Sequence, residues 1–150
     1  MKTLKTIPFS NLENIPTLIK DFLSGNLFDF QTDTFSLGNL KSKIQQKGNF
    51  FSENKRAILT ESLTQQLKSL KLSDVQSKNL ALLKAENTFT ITTGHQLNLF
   101  SGPVFFIYKI LQTIKTAEYL KDQFPEFNFV PLFWMATEDH DFEEINHFKT

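Results

Sequence analysis

Outside a stretch from Asp29 to Phe51, apolar residues recur at three- and four-residue intervals through the first 86 positions, and beyond them in short β-branched or continuous runs. The period therefore changes once, from helical to strand-like. Ser10-Asn-Leu-Glu13 has the spacing of a capping box, and Pro16 suits a first helical turn. Ile15, Leu18, Ile19, Phe22 and Leu23 share one face of the helix so predicted, and Gly25 stops it. The stretch from Asp29 to Phe51 shows little period and reads as a connection carrying one short helix. Ser52 caps a longer helix with Leu59, Leu63, Leu67 and Leu70 as its stripe. Ser73-Asp-Val-Gln76 is a further capping box, opening a helix with Val75, Leu82 and Leu83 on one side and Asn79 interrupting them.

Phe89-Thr-Ile-Thr-Thr93 is short and β-branched, which predicts a strand over about 89–93. Gly94 to Pro103 then reads as a loop with glycine near both ends. A strongly apolar helix follows, its core side expected to be Ile107, Ile110, Leu111, Ile114, Ala117 and Leu120. Ser101 or Gly102 would cap it, with Pro103 in its first turn. Phe129-Val-Pro-Leu-Phe-Trp-Met-Ala136 is a continuous apolar run, suited to a strand buried on both faces of a parallel sheet. Proline has no N–H to donate, so the ladder is expected to begin at or just after Pro131, giving a strand over about 130–136. Trp134 and the phenylalanines read as core. Strand, helix, strand is a βαβ unit. The fold class is thus α/β, a parallel sheet begun over residues 87–150 and preceded by a helical region over 1–86. Two parallel strands cannot bury both faces and both edges, so further strands are expected beyond Thr150 and the chain reads as part of a larger domain.

Composition narrows the partners. Sixteen basic residues balance sixteen acidic ones, which argues against nucleic acid, whose phosphates require a surplus of Lys and Arg. The charge is segregated: residues 41–84 carry nine basic and three acidic side chains, and 85–150 four basic and nine acidic. The basic segment reads as a solvated helical face. Without cysteine there is no disulfide, thiolate metal site or enzyme-bound thioester. No signal-peptide core opens the chain and no apolar run is long enough to span a bilayer, so no membrane partner and a cytoplasmic location are expected.

Ligands of parallel α/β sheets bind beyond the carboxyl ends of the strands. Two segments fall there, 93–103 and 137–144. In the first, Thr93, His95, Gln96, Asn98 and Ser101 supply neutral donors and acceptors, Gly94 and Gly102 let the backbone approach a ligand, and Lys109 supplies a charge. The amino terminus of the following helix favours an anion. Neither G-x-x-x-x-G-K-[ST] nor G-x-G-x-x-G is present. In the second, Glu138-Asp-His-Asp-Phe-Glu-Glu144 packs five carboxylates into seven residues. Asp141-Phe-Glu-Glu144 has capping-box spacing, which accounts for Asp141, Glu143 and Glu144 as a helix start. Glu138, Asp139 and His140 are left over, as a general base, an ammonium-binding anion or hard-metal ligands. A metal site from His95, His140, His147 and Asp139 lacks the usual ligand spacing, so no metal is expected.

Thr93-Gly-His-Gln-Leu-Asn-Leu-Phe-Ser-Gly-Pro103 with Ile107-Tyr-Lys109, and Pro131-Leu-Phe-Trp-Met-Ala-Thr-Glu-Asp-His-Asp-Phe-Glu-Glu-Ile-Asn-His147, resemble the signature stretches of the bacillithiol-biosynthesis cysteine-adding enzymes, or cysteine ligases. The resemblance is dense over 90–147 and rests on less over 1–86. It implies a Rossmann-like core with inserted segments and a long coiled coil, similar to nucleotidylyltransferase-type folds, in a dimeric cytoplasmic bacterial enzyme. The implied reaction joins L-cysteine to glucosaminyl-malate, the last step towards bacillithiol, with a nucleotide such as ATP or ADP implicated in activating the carboxylate. Carried onto this chain, the family motif marks Gly94, His95, Gln96, Gly102, Tyr108 and Lys109 in the first segment and Glu138, Asp139, His140 and Asp141 in the second. Asp139, His140 and Asp141 are the candidate catalytic groups, and the others, with Thr93, Asn98 and Ser101, the candidate substrate- or nucleotide-binding groups. Many members carry Gln-Gln where this chain has His95-Gln96. The remaining alternatives are a non-catalytic nucleotide- or anion-binding domain and a metal-dependent hydrolase using the Asp–His cluster.

Overall fold

The computed structural model describes residues 5–27, 36–98, 102–138 and 141–147. The chain divides into two compact units, Met1–Asn49 and Phe50–Thr150. The first contains a 3-10 turn at Phe9–Asn11, helix α1 (Thr17–Ser24) and nearly all of α2 (Leu37–Phe50). The capping box at Ser10 does not form. Its hydroxyl donates to Asn11 Oδ1 at 3.2 Å, and α1 starts after Pro16, because the residue preceding a proline is driven out of the helical region. Gly25 ends α1 as expected, at φ 77°, in a Schellman arrangement with Gly25 N–H on Phe22 O and Asn26 N–H on Asp21 O. The expected connection with one short helix is instead, over its described part, the fourteen-residue α2. Its glycines and asparagines lower helix propensity and hide the spacing of Leu37, Leu40 and Ile44, of which Ile44 is buried.

The second unit runs α3 (Glu53–Leu67), α4 (Asp74–Leu82), β1 (Thr88–His95), α5 (Val104–Gln123), β2 (Asn128–Met135) and the single turn α6 (Phe142–Ile145). Ser52 occupies the α3 N-cap. Ser73 and Gln76 form the complete capping box of α4, with reciprocal bonds of 3.3 and 2.9 Å. Two stripes differ from expectation. Along α3 the most buried residues are Arg56 and Thr60, and Leu70 lies exposed beyond the helix. Along α4 Val75 faces solvent, and Leu83, just past the helix, joins the core.

β1 and β2 pair in parallel, Thr88 opposite Asn128 through His95 opposite Met135. Both strands begin earlier than expected and β1 also ends later, so Gly94 and His95 belong to the strand rather than to a loop. Pro131 lies inside the ladder, opposite Ile91. Asn128 N–H bonds Asn87 O at 2.8 Å and Ala136 N–H bonds His95 O at 3.2 Å, so even-numbered residues of β2 donate to β1 throughout. The odd-numbered Pro131 turns its missing donor to the outer edge, where the ladder does not need it.

Ring contacts identify the α5 face of the sheet. Phe106 meets Phe133 at 5.3 Å, Phe124 meets Phe129 at 6.5 Å, and His95 meets Phe105 and Phe106 at 5.1 and 5.7 Å. Odd-numbered strand residues therefore point to α5, and even-numbered ones, including Gly94, Val130 and Trp134, to the opposite face. Ala117, Leu120, Phe124, Phe129, Val130 and Leu83 form the core. Of the core side predicted for α5, Ala117 and Leu120 are buried, but Ile107, Leu111 and Ile114 are exposed and Thr113 is buried in their place. A helix apolar nearly all round does not declare its inner stripe. Pro103, expected inside the first turn of α5, is its N-cap.

Arg56 fixes the helices to the amino end of the sheet. It is 3% exposed, and its guanidinium donates to Leu83 O, Thr88 O and Glu86 O at 3.4, 2.9 and 2.8 Å while lying over the Phe51 ring. Leu83 O belongs to the C-cap of α4, the end of a helix that favours a cation.

Candidate site at the carboxyl ends of the strands

Parallel pairing puts His95 and Met135 side by side, so the chain leaves both strands at one rim. Gln96–Asn98 and Gly102 follow β1, and Ala136–Glu138 follow β2. Asp139 and His140 of the second segment, and Ser101 of the first, lie outside the described residues. Asp141 is exposed immediately before α6, in the position that the capping-box spacing gave it. His147 is exposed beyond α6, its Nδ1 2.9 Å from Asn146 Oδ1. Among the described residues no three His, Asp or Glu side chains gather to hold a metal ion.

The two glycines of the first segment do different work. Gly102, at φ +61°, is the true turn. A Cβ there would lie 2.6 Å from Asn98 Cβ. Gly94, expected to turn as well, is part of the strand. It is bare because Trp134 faces it: a Cβ at 94 would lie 3.0 Å from both the Cβ and the carbonyl oxygen of Trp134. The Gly94 carbonyl points out of the edge of β1 away from β2 and accepts from Lys109 Nζ at 2.7 Å. Lys109 thus ties α5 to the strand end, and this ammonium, expected to await a ligand, already has one backbone partner.

His95, half-buried against the two phenyl rings, has Nδ1 2.9 Å from Gln96 O and 3.0 Å from Asn98 Nδ2, which also donates to Gln96 O at 3.1 Å. With its proton on Nδ1 the ring donates to the carbonyl and keeps an acceptor at Nε2; with the lone pair on Nδ1 it accepts from Asn98. Either way the ring is held. Gln96 is 8% exposed, and its Oε1 has no hydrogen-bond partner among the described residues. Thr93 is half-buried opposite Phe133, and Tyr108 is exposed on α5.

Trp134 corrects the reading of this segment most. Expected in the core, it is 57% exposed, and its indole N–H donates to Glu138 Oε1 at 3.0 Å. The run Phe129–Met135 is buried only in its first half, and Trp134 and Met135, on opposite faces of the strand, are both exposed at the rim. Glu138, left without a structural role by the sequence, acquires one here. Arg56 carries no signal in the sequence, since a lone basic residue in a helix ordinarily reads as solvated; a groove of about 740 Å³ runs past it along α3, away from the rim.

Residues 4–150 match the family described as Bacillithiol biosynthesis BshC, N-terminal Rossmann-like domain. The chain belongs to that family. It is 55% identical over 115 residues to a protein of Flavobacterium psychrophilum, covering 76% of this chain and 22% of the relative. It is 48% identical over 134 residues to one of Flavobacterium johnsoniae, and 45% identical over 134 to one of Christiangramia forsetii, each covering 88% of this chain and 25% of the relative. All three are named "Putative cysteine ligase BshC". The chain therefore spans about a quarter of the length of these BshC relatives. The two rim segments are the same stretches that carried the resemblance in the sequence. The helix–strand order and parallel pairing agree with a Rossmann-like domain. No helix among the described residues is long and apolar enough to cross a membrane.

Proposed function

We propose that this chain forms the first part of a cytoplasmic, homodimeric carbon–nitrogen ligase that joins L-cysteine to the amine of glucosaminyl-malate, completing bacillithiol. The observation that carries the reading is the shared rim: in a BshC-family chain, parallel pairing of β1 and β2 delivers Gly94–Asn98 and Trp134–Glu138 to one end of the sheet. That is where an open parallel sheet takes its ligand.

Forming an amide in water requires an activated carboxylate, and a nucleotide such as ATP supplies that activation when bound. The rim fits such a group in two respects. The first turn of α5 offers backbone N–H groups, beyond Phe106 N–H, which Pro103 O occupies at 2.9 Å. The ammonium of Lys109, with one of its three donors on Gly94 O, keeps two for an anion. The chain's own contributions follow. Lys109 and Gly102 set the shape of the first segment. Gln96 and His95 orient the polar end of the substrate. Asp139 or Asp141 takes the proton released as the amine adds to the activated carboxyl carbon of cysteine, with His140 assisting. The C–N bond forms as the bond from that carbon to its activating group breaks and the group leaves with the electron pair, and Glu138 and its neighbours hold positive charge.

The test uses the full-length protein with cysteine, glucosaminyl-malate and ATP, read by mass spectrometry. The expected product is the cysteinyl amide, lost in Asp139→Asn combined with His140→Asn. Undiminished turnover by that double variant removes the assignment of the base, and absence of product from the unaltered enzyme removes the ligase reading.

A further inference from the structure

We propose that Trp134 is the stacking platform for a planar heterocycle, the base of the nucleotide invoked above, on the face of the sheet opposite α5. The inference rests on the ligase reading for the identity of the ligand and on geometry for the site.

Three observations build the platform. Trp134 stands at the rim and is more than half exposed, although it lies in an otherwise apolar strand. Its ring is held at both ends. The indole N–H is fixed on Glu138 Oε1 at 3.0 Å, and the Cβ sits against the bare backbone of Gly94. Gly94 leaves the indole its place, because a side chain at 94 would press on the Trp134 Cβ and carbonyl oxygen and approach Cδ1 to 3.4 Å. Thr92, two residues before Gly94 on the same face, is exposed and offers a hydroxyl.

The carboxylate at the ring edge distinguishes a nucleobase from an apolar polypeptide segment as the occupant. An apolar cover would bury Glu138 without a cation, which is costly. A base with an exocyclic amino group covers the indole with its π face and offers N–H donors to the carboxylate. A ring pinned before the ligand arrives loses little conformational freedom on stacking.

Trp134 is the single tryptophan of these 150 residues, so their emission, or in the full-length protein the part of the signal lost in Trp134→Phe, reports on this place. Adenosine, which carries no phosphate, is the probe. Saturable quenching of Trp134 emission by adenosine is expected. Isothermal titration should show that Trp134→Leu weakens adenosine binding by roughly fivefold to a hundredfold, the range for loss of one stacked base, and that Trp134→Phe retains part of it at unchanged circular dichroism. Emission indifferent to adenosine at millimolar concentration, or equal affinity in Trp134→Leu, overturns the proposal. So does a Trp134 shielded from acrylamide in the full-length protein without nucleotide, which would place a polypeptide segment over the ring. The two readings fail separately: product without adenosine quenching leaves the ligase and removes the platform, and quenching without product does the reverse.

Discussion

At Gly102 a single hydrogen atom in place of a side chain decides the path of the rim segment. Alanine there must hold φ near +61° and place its Cβ 2.6 Å from Asn98 Cβ. The backbone term alone is about 1–2 kcal/mol, so Gly102→Ala is expected to destabilise by at least that in urea unfolding and to disturb the Asn98–Gln96–His95 hydrogen bonds. Arg56 is the corresponding position at the other end of the sheet. Arg56→Met keeps apolar volume but leaves the Thr88 and Glu86 carbonyls without their donor, at a cost of at least about 2 kcal/mol. Arg56→Lys should recover only part of this, because a compact ammonium cannot reach three carbonyls as a planar fork does; thermal melts of the two variants give the comparison. Glycine at 102 and the polar residues around it were legible in the sequence. Arg56, Trp134 and the strand role of Gly94 were not, since each depends on what stands opposite, and residue type does not reveal that.

Elements were legible where their ends carry chemistry. The Ser73–Gln76 box was read from four letters and forms with both bonds, so Ser73→Ala is expected to lower stability by about 1 kcal/mol, measured by the shift in urea midpoint. The Gly25 stop is equally local, and Ser52 takes the N-cap position of α3 without a capping hydrogen bond from its side chain. The Ser10 box failed because Pro16 imposed a later start. α2 is not legible in the sequence because a helix rich in Gly and Asn advertises little. In α5 the length and position were plain, but the inner stripe was not. Exposed Ile107, Leu111 and Ile114 look no different in sequence from Ile110, which is half-buried. A charge on each side separates them: Leu111→Lys should leave the melting temperature nearly unchanged, and Ala117→Lys should abolish the cooperative transition.

For the molecule as a whole, the division at Asn49–Phe50 predicts that residues 50–150 keep the β1–α5–β2 arrangement when made alone, read by far-UV circular dichroism and amide exchange protection of β1. What the sequence determined by itself was whatever is encoded over neighbouring residues: the change of period, the caps, the proline and glycine punctuation, and the two signature stretches that place the chain in its family. The tertiary structure decided which face of each element lies inside, how far the strands run and what the buried Arg56 holds. Those outcomes depend on partners distant in the chain, such as Gly94 against Trp134 and Arg56 against Thr88, whose pairing exists only once parallel strands and helices have come together.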